Sequence, residues 1–104
     1  IISDKIRANI FWIDHNVCPV GEPLLFRCVT QEVPCRIDKI YKKFDPASME
    51  LIEENVSSIS GAEVADILIS LDTRIVVDSF TDIPEMGRFV LEKNGRPVAG
   101  GIIL

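Results

Sequence analysis

Residues 87–104 read GRFVLEKNGRPVAGGIIL, and this stretch has the clearest pattern of secondary structure in the chain. Asn94-Gly95 favours a type I′ turn, because both central residues of that turn need positive φ. On the N-terminal side of the pair, Phe89 and Leu91 alternate with charged residues, and on the other side an apolar run follows. The pattern predicts a β-hairpin. Gly100-Gly101 in its second strand predicts a close backbone approach or a sharp corner.

Four more strands are predicted upstream of the hairpin. The first starts at Ile6 and alternates apolar and polar residues; because Phe11 and Ile13 make both of its faces apolar, we expect it to be largely buried. The others cover residues 24–29, joined by Thr30-Gln31 to 33–40, and residues 64–77 with a kink at Asp72-Thr73. Six evenly spaced strands with turn residues between them predict an all-β barrel or sandwich.

The third strand changes face along its length. Val33, Cys35 and Ile37 share one side, whereas Ile40 falls on the other, which predicts a bulge or bend. Pro34 cannot donate to a ladder and is expected at an edge or in that bulge. The acidic segment that follows, residues 47–55, is predicted to be a packed loop.

The length and net charge of the chain limit the number of domains and the class of partner that we expect. The chain has 104 residues, so residues 1–104 are expected to form a single domain. Its net charge is −5, from 16 acidic and 11 basic residues. This balance disfavours a nucleic-acid partner, because phosphate contacts require a basic face. Lys39, Lys42 and Lys43 form a small basic cluster that is expected to be a solvated strand end.

The three cysteines, Cys18, Cys28 and Cys35, are odd in number and include no C-x-x-C pair. Disulfide frameworks and zinc sites need even counts or tight spacing. Free, mostly buried thiols in a reducing compartment are therefore expected. The sequence shows neither a membrane-spanning window nor a signal peptide, so a cytoplasmic location without a membrane partner is predicted.

Motifs for catalysis are missing from the sequence. It contains no phosphate-binding loop of the form G-x-x-x-x-G-K-[ST], and His15 is its single histidine. A Ser/His/Asp or Cys/His arrangement would have to use that imidazole, and nothing in the sequence places a nucleophile beside it. His15 is expected in a surface loop.

Two groups of carboxylates were considered as sites. Asp78, Asp82 and Glu85 could in principle hold calcium, but they lack the spacing and the Gly-centred turn of a calcium loop. Glu50, Glu53 and Glu54 form an acidic run that is expected to be solvated, without the asymmetry that acid–base pairs need. We therefore predict no catalytic, cofactor-binding or metal-binding residue in this chain, and a binding or structural module.

Two segments near the C-terminus resemble the last barrel of the elongation factor Tu / 1A family. They are residues 77–91, VDSFTDIPEMGRFVL, and residues 95–103, GRPVAGGII. The family ends this domain with a G-R-F-x-[VIL] strand, a tight turn and a second strand of the T/P-V-x-x-G-[VI]-[IV] type. The Phe11-Trp12 pair and Gly21 also fit the pattern. The resemblance implies a six-stranded antiparallel closed β-barrel.

Segments in the middle of the chain resemble one branch of that superfamily, the large GTPase-type subunit of sulfate adenylyltransferase. These are residues 30–37, TQEVPCRI, residues 45–50, DPASME, and residues 62–67, AEVADI, where Gly61-Ala62 replaces an Asn of that family. This resemblance implies a parent protein with an N-terminal GTPase domain that binds GTP and Mg²⁺, and two barrels of which this is the last.

The expected role follows from the same resemblance. GTP hydrolysis in the missing domain would be coupled to formation of adenylyl sulfate by a separate, smaller catalytic subunit. This barrel would dock onto its own GTPase domain, the second barrel and that small subunit, moving as a rigid body.

Two alternatives stay open. One is the same barrel in an elongation factor 1A-like protein that delivers aminoacyl-tRNA. The other is a free-standing small-molecule-binding barrel, in which His15 and the 78–85 loop would line a pocket. The acidic balance and the TQEVPC segment favour the first interpretation over both.

Overall fold

The computed structural model describes residues 2–77, 79 and 81–104, with the backbone alone at 85 and 86. Most of the described residues are in β-strands. The strands are β1 (Ile2–Trp12), β2 (Cys18–Pro19), β3 (Pro23–Cys28), β4 (Gln31–Phe44), β5 (Leu51–Val56), β6 (Ser58–Ile59), β7 (Glu63–Val76), β8 (Arg88–Lys93) and β9 (Arg96–Ile103). One helical turn, α1 (Pro84–Gly87), precedes β8.

Six antiparallel strands close into a barrel in the order β3-β8-β9-β1-β7-β4, with β4 pairing back onto β3. This confirms the predicted barrel. β5 extends the sheet beyond the barrel by pairing with β4, and β2 and β6 form a separate two-stranded sheet. All strand pairs among the described residues are antiparallel, which suits a sheet that is buried on one face and solvated on the other.

The barrel interior is filled by alternate residues of each strand. In β1 the buried residues are Ile6, Ala8, Ile10 and Trp12, all at most 2% exposed. On the neighbouring strands β3 and β8, the inward-facing rings of Phe26 and Phe89 stack with centroids 4.9 Å apart. Burying one side chain of this size stabilises the fold by roughly 1.5–3 kcal/mol.

The C-terminal hairpin has the predicted turn. β8 and β9 pair antiparallel, and the two residues between them, Asn94 and Gly95, have φ values of 54° and 76°. Positive φ at both central positions is the requirement of a type I′ turn. The local sequence thus determines this corner of the barrel.

The predicted bulge in β4 is also present. Pairing of β4 with β7 shifts register between Ile37 and Lys39 and again between Ile40 and Lys42. Because of these shifts, residues that alternate out of phase in the sequence are buried together. Pro34 pairs with Leu25 of β3, whereas pairing with β7 begins only at Cys35, so its missing N–H costs no ladder bond to β7.

The prediction of a packed loop over residues 47–55 was wrong for its second half, which forms β5. Glu53 lies opposite Lys43, and Glu54 lies opposite Lys42, on the neighbouring strand β4. Neither glutamate makes an ion pair with a described residue, so backbone pairing with β4 defines this strand. The partners are distant in sequence, and no local alternation in this segment reveals them.

The structure differs from the prediction at two turns. The turn between β3 and β4 is Val29-Thr30, with Val29 at a φ of 54°, so β4 already starts at Gln31. β7 continues through the predicted kink, but its ladder to β1 is irregular there, because Lys5 pairs with Ser70 and Ser3 with Ile75. The predicted kink is therefore an irregularity in the pairing of β7 with β1, and β7 continues through it.

The expectation that both faces of the first strand are buried was wrong. Phe11 is 43% exposed and Ile13 is 54% exposed. Only the inward side of β1 is covered, because the closed barrel has a single layer of sheet with solvent outside. This leaves apolar side chains on the outer face.

Candidate docking surface

Apolar residues form one row across the outer face of the barrel. Phe11 of β1 lies opposite Gly100 of β9 on one side and opposite Val64 of β7 on the other. Val64 lies opposite Phe44 of β4, which in turn lies opposite Leu51 of β5. We call these five residues the apolar row.

The apolar row is open to solvent along its length. Phe11 and Leu51 are 43% and 49% exposed, Val64 and Phe44 are half-buried, and nothing lies within 4 Å of the position that a Cβ on Gly100 would occupy. The period of two explains this, because the neighbours of Phe11 in β1 face the core. Contiguous exposed apolar surface is typical of a docking site.

A charged cluster borders the apolar row. Arg7 of β1 donates two hydrogen bonds of 2.8 Å to the carboxylate of Asp66 on β7. The guanidinium also lies 3.9 Å from the centroid of the Tyr41 ring on β4. Such exposed pairs add little stability, but they fix the orientation of the side chains. An apolar centre beside a polar rim is the usual anatomy of a protein interface.

The three lysines of the predicted basic cluster differ in their burial. Lys39 and Lys42 are exposed and make no ion pair with a described residue, as expected for a solvated strand end. That expectation was wrong for Lys43, which is 8% exposed and places its Nζ 2.8 Å from a carboxylate oxygen of Glu63. A buried ammonium group needs such a partner. Two lysines, rather than three, are therefore available to a ligand.

The acidic residues Glu50, Glu53 and Glu54 are all exposed, and none makes an ion pair with another described residue. Of the proposed calcium ligands, Asp78 lies outside the described residues, and so does the side chain of Glu85. Asp82 is exposed, and its N–H donates to the carbonyl oxygen of Ser79 over 3.2 Å. Within the described part of the chain, no cluster of three or more His, Cys, Asp or Glu residues could hold a metal ion.

His15 lies in the exposed segment between β1 and β2, as predicted. Its backbone N–H donates to Oδ1 of Asp14 over 3.0 Å, and the backbone of Gly61 passes close to its ring. The imidazole makes no hydrogen bond or ion pair to a residue that the structure describes. Nothing in this arrangement activates a nucleophile.

All three cysteines are buried thiols outside any disulfide, as predicted. Burial, and then the neighbouring Glu22 carboxylate, raise the pKa of Cys18 to about 12. Burial likewise raises the pKa of Cys35 to about 12, with a smaller contribution from Asp72. Since the thiolate is the reactive form, these thiols are inert near neutral pH.

A groove of about 410 Å³ lies between the start of β3 and the end of β8. At its wall Lys93 Nζ lies 2.9 Å from Oε1 of Glu22, and this contact lowers the pKa of Glu22. Sequence reasoning missed both the groove and the apolar row. Their members come from strands that are distant in sequence, and no motif marks them.

No helix in the described part of the chain has the length and apolar character needed to cross a membrane.

Comparison with known proteins gives consistent matches. Residues 5–104 match a family model described as GTP-eEF1A C-terminal domain-like. Elongation factor 1-alpha of Methanopyrus kandleri is 32% identical over 101 residues, which cover 96% of this chain and 24% of that protein. Elongation factor 1-alpha of Natronomonas pharaonis is 31% identical over 104 residues, covering 99% of this chain and 25% of that protein.

Solved structures match the fold. Sup35 in complex with GDP superposes with a TM-score of 0.91 at 18% sequence identity, over 100% of this chain and 26% of the other. Sup35 in complex with GMPPNP gives the same TM-score and identity. The chain spans about a quarter of the length of the curated relatives that it matches.

Proposed function

Because this chain belongs to the GTP-eEF1A C-terminal domain-like family, we propose that it is the C-terminal barrel of an elongation factor 1A-like translation GTPase. The observation that carries the proposal is the match over residues 5–104, together with relatives that are named elongation factor 1-alpha. In this proposal the barrel docks onto its own GTPase domain and contacts aminoacyl-tRNA.

Nucleotide chemistry would lie outside this chain. The sequence has no phosphate-binding loop, so GTP and Mg²⁺ would be held by the GTPase domain of the whole protein. The part left to the barrel is docking, for which Phe11 and its neighbours in the apolar row offer exposed apolar area. Domain interfaces of this kind bury mixed apolar and polar surface and permit relative motion.

The tRNA contact would use two lysines of β4. Lys39 and Lys42 are exposed and have no ion pair among the described residues, in a chain of net charge −5. The acidic remainder limits how much RNA surface this barrel can hold, because phosphate contacts need cations. We therefore assign the barrel a local contact within a larger binding site.

Binding of aminoacyl-tRNA by the whole protein, loaded with GTP or with GDP, tests this function. We expect tighter binding in the GTP form. The double variant Lys39→Glu/Lys42→Glu should weaken binding and reduce the dependence of log K on log salt by about 2, roughly 1 for each lost phosphate contact. Arg74→Glu, at an exposed position of β7 that has no ion pair with any residue the structure describes, is the control for a change of charge elsewhere on the barrel. Failure of the GTP-loaded protein to bind aminoacyl-tRNA would contradict the proposal.

The large subunit of sulfate adenylyltransferase is the second candidate, because residues 30–37 and 45–50 resemble that family. Part of the first segment contributes to hydrogen bonding and packing within the barrel. Gln31 Nε2 donates to the carbonyl oxygen of Val76 over 2.9 Å, and the side chain of Cys35 is buried in the core. The resemblance there is therefore explained by packing as well as by ancestry, and the elongation factor proposal has the better support. GTP-stimulated formation of adenylyl sulfate by the whole protein with a small catalytic subunit would favour the second candidate.

The compartment that we propose is the cytoplasm. Translation takes place there, and three buried thiols outside any disulfide suit a reducing environment. Location of the whole protein by fractionation would test it.

A further inference from the structure

The outer edge of β5 is open. In the part of the chain that the structure describes, β5 pairs with β4 alone, and its other side has no partner strand. An unpaired edge presents a row of N–H and C=O groups that can bind another extended chain. Residues 51–54 are all exposed, so these groups are accessible. Asn55, with a φ of 52°, departs from extended geometry and limits the usable edge to residues 51–54.

The charges at this edge select its partner. Glu53 and Glu54 are exposed, and neither makes an ion pair with a described residue. A second copy of β5 would bring like charges face to face, which destabilises a strand pair. RNA would meet the same repulsion from its phosphates. A basic segment is the partner whose charge is complementary.

The neighbouring strand shows which pattern of residues fits. On β4, Lys42 lies opposite Glu54, and the register then shifts at a bulge between Lys43 and Phe44, so that Phe44 lies opposite Leu51. A regular antiparallel strand added to the open edge has no such shift, and a cation placed against Glu54 is followed two positions later by a residue opposite Ile52. An apolar side chain at that position would lie beside Ile52, which is 49% exposed.

We propose that the open edge of β5 binds an extended peptide segment that carries a basic residue two positions before an apolar one. The peptide adds as an antiparallel strand, so main-chain hydrogen bonds supply affinity and the two side chains supply selectivity. The site lies three strand spacings from Phe11, about 14 Å. It is therefore distinct from the centre of the surface assigned above to docking. The inference holds for either parent protein, and its test is independent of tRNA binding.

The probe is a capped synthetic peptide that copies residues 39–45, KIYKKFD, and the control peptide carries glutamate in place of its three lysines. Binding to the isotope-labelled chain is followed by amide NMR shifts. We expect shifts concentrated at residues 51–54 with the basic peptide, weaker binding at high salt, and no binding of the acidic peptide. Equal binding of both peptides, or shifts centred elsewhere on the barrel, would overturn the proposal.

Variants distinguish binding at the β5 edge from nonspecific electrostatic attraction to the barrel. Glu53→Lys/Glu54→Lys should weaken binding of the basic peptide roughly tenfold, since two attractive cross-strand pairs become repulsive. Asp4→Lys, an exposed carboxylate on β1, changes the net charge without touching β5 and should leave binding unchanged. Ile52→Pro removes an N–H from a residue outside the β4 ladder and should weaken binding without a change of charge. Dimerisation through β5, or RNA binding at residues 51–54, would identify a different occupant and contradict the inference.

Discussion

Gly101 lies against Asn9 of the neighbouring strand β1, and a Cβ placed on the glycine would be 2.6 Å from the Asn9 carbonyl oxygen. The same Cβ would be 2.6 Å from Phe89 Cζ and 2.8 Å from Ile10 Cγ2. All three contacts are with the backbone or with buried side chains of the core, which have little room to move. Gly100, one residue earlier, has nothing within 4 Å of its own Cβ position.

Gly101→Ala should destabilise the barrel, because the added methyl group must displace packed atoms. We expect a loss of about 2–3 kcal/mol in the free energy of unfolding, typical of overpacking. Gly100→Ala is the matched control and should stay within about 0.5 kcal/mol of the parent. Urea unfolding curves of both variants measure this, and equal effects at the two positions would contradict the assigned close approach.

Gly95→Ala should destabilise the terminal hairpin for a different reason. No atom lies within 4 Å of the Cβ position at Gly95, but its φ of 76° is unfavourable for a residue with a side chain. The expected cost is about 1 kcal/mol, without any steric contribution. Thermal unfolding followed by circular dichroism detects the change, for which Gly100→Ala again serves as control. An unchanged melting midpoint would mean that the turn relaxes to another type.

Local signals in the sequence predicted the corners of the fold. The Asn94-Gly95 turn, the close approach at one of the two glycines and the bulge in β4 each depend on a few adjacent residues, whose types restrict φ or remove a donor. The inward face of β1 was visible in its alternation. These features required no knowledge of the partners of each strand.

Features that depend on pairing between distant segments were not predictable. β5 is a strand because β4 lies beside it, and the apolar row exists because Phe11, Val64 and Phe44 share a register across three strands. Lys43 was expected in solvent and is buried, since the face that it occupies is set by a bulge. A register shift of one residue exchanges the faces of a strand, and one sequence alone does not fix it.

Cys35 should make the barrel less stable at alkaline pH. Burial raises its pKa from 9.0 to about 12, so above pH 9 the unfolded chain loses a proton that the folded chain keeps. Stability is therefore full below pH 9 and falls as pH rises towards 12, by about 1.4 kcal/mol per pH unit for this thiol. Cys35→Ala should show a shallower fall in the free energy of unfolding between pH 9 and 10.5. Subtracting the slope of the variant from that of the parent removes the contribution of other titrating groups. Identical slopes in the two proteins would contradict the assignment.

Lys93 should stabilise the barrel at neutral pH through its contact with Glu22, and this contribution should be lost in acid. The hydrogen bond from Lys93 lowers the pKa of Glu22 below its ordinary value of 4.5. The contact therefore stabilises the fold above that pH, and its contribution disappears as pH falls through the lowered pKa of the folded state. Lys93→Met keeps most of the side-chain length and should lower the stability at pH 7 slightly, because the pair is partly exposed. Below the lowered pKa of Glu22 the difference should approach zero, whereas Lys39→Met, which removes a lysine without an ion pair to a described residue, should cost little at either pH. A carboxyl NMR titration of Glu22 provides the direct measurement: its pKa should rise in Lys93→Met and stay unchanged in Lys39→Met, because only the first variant removes the donor.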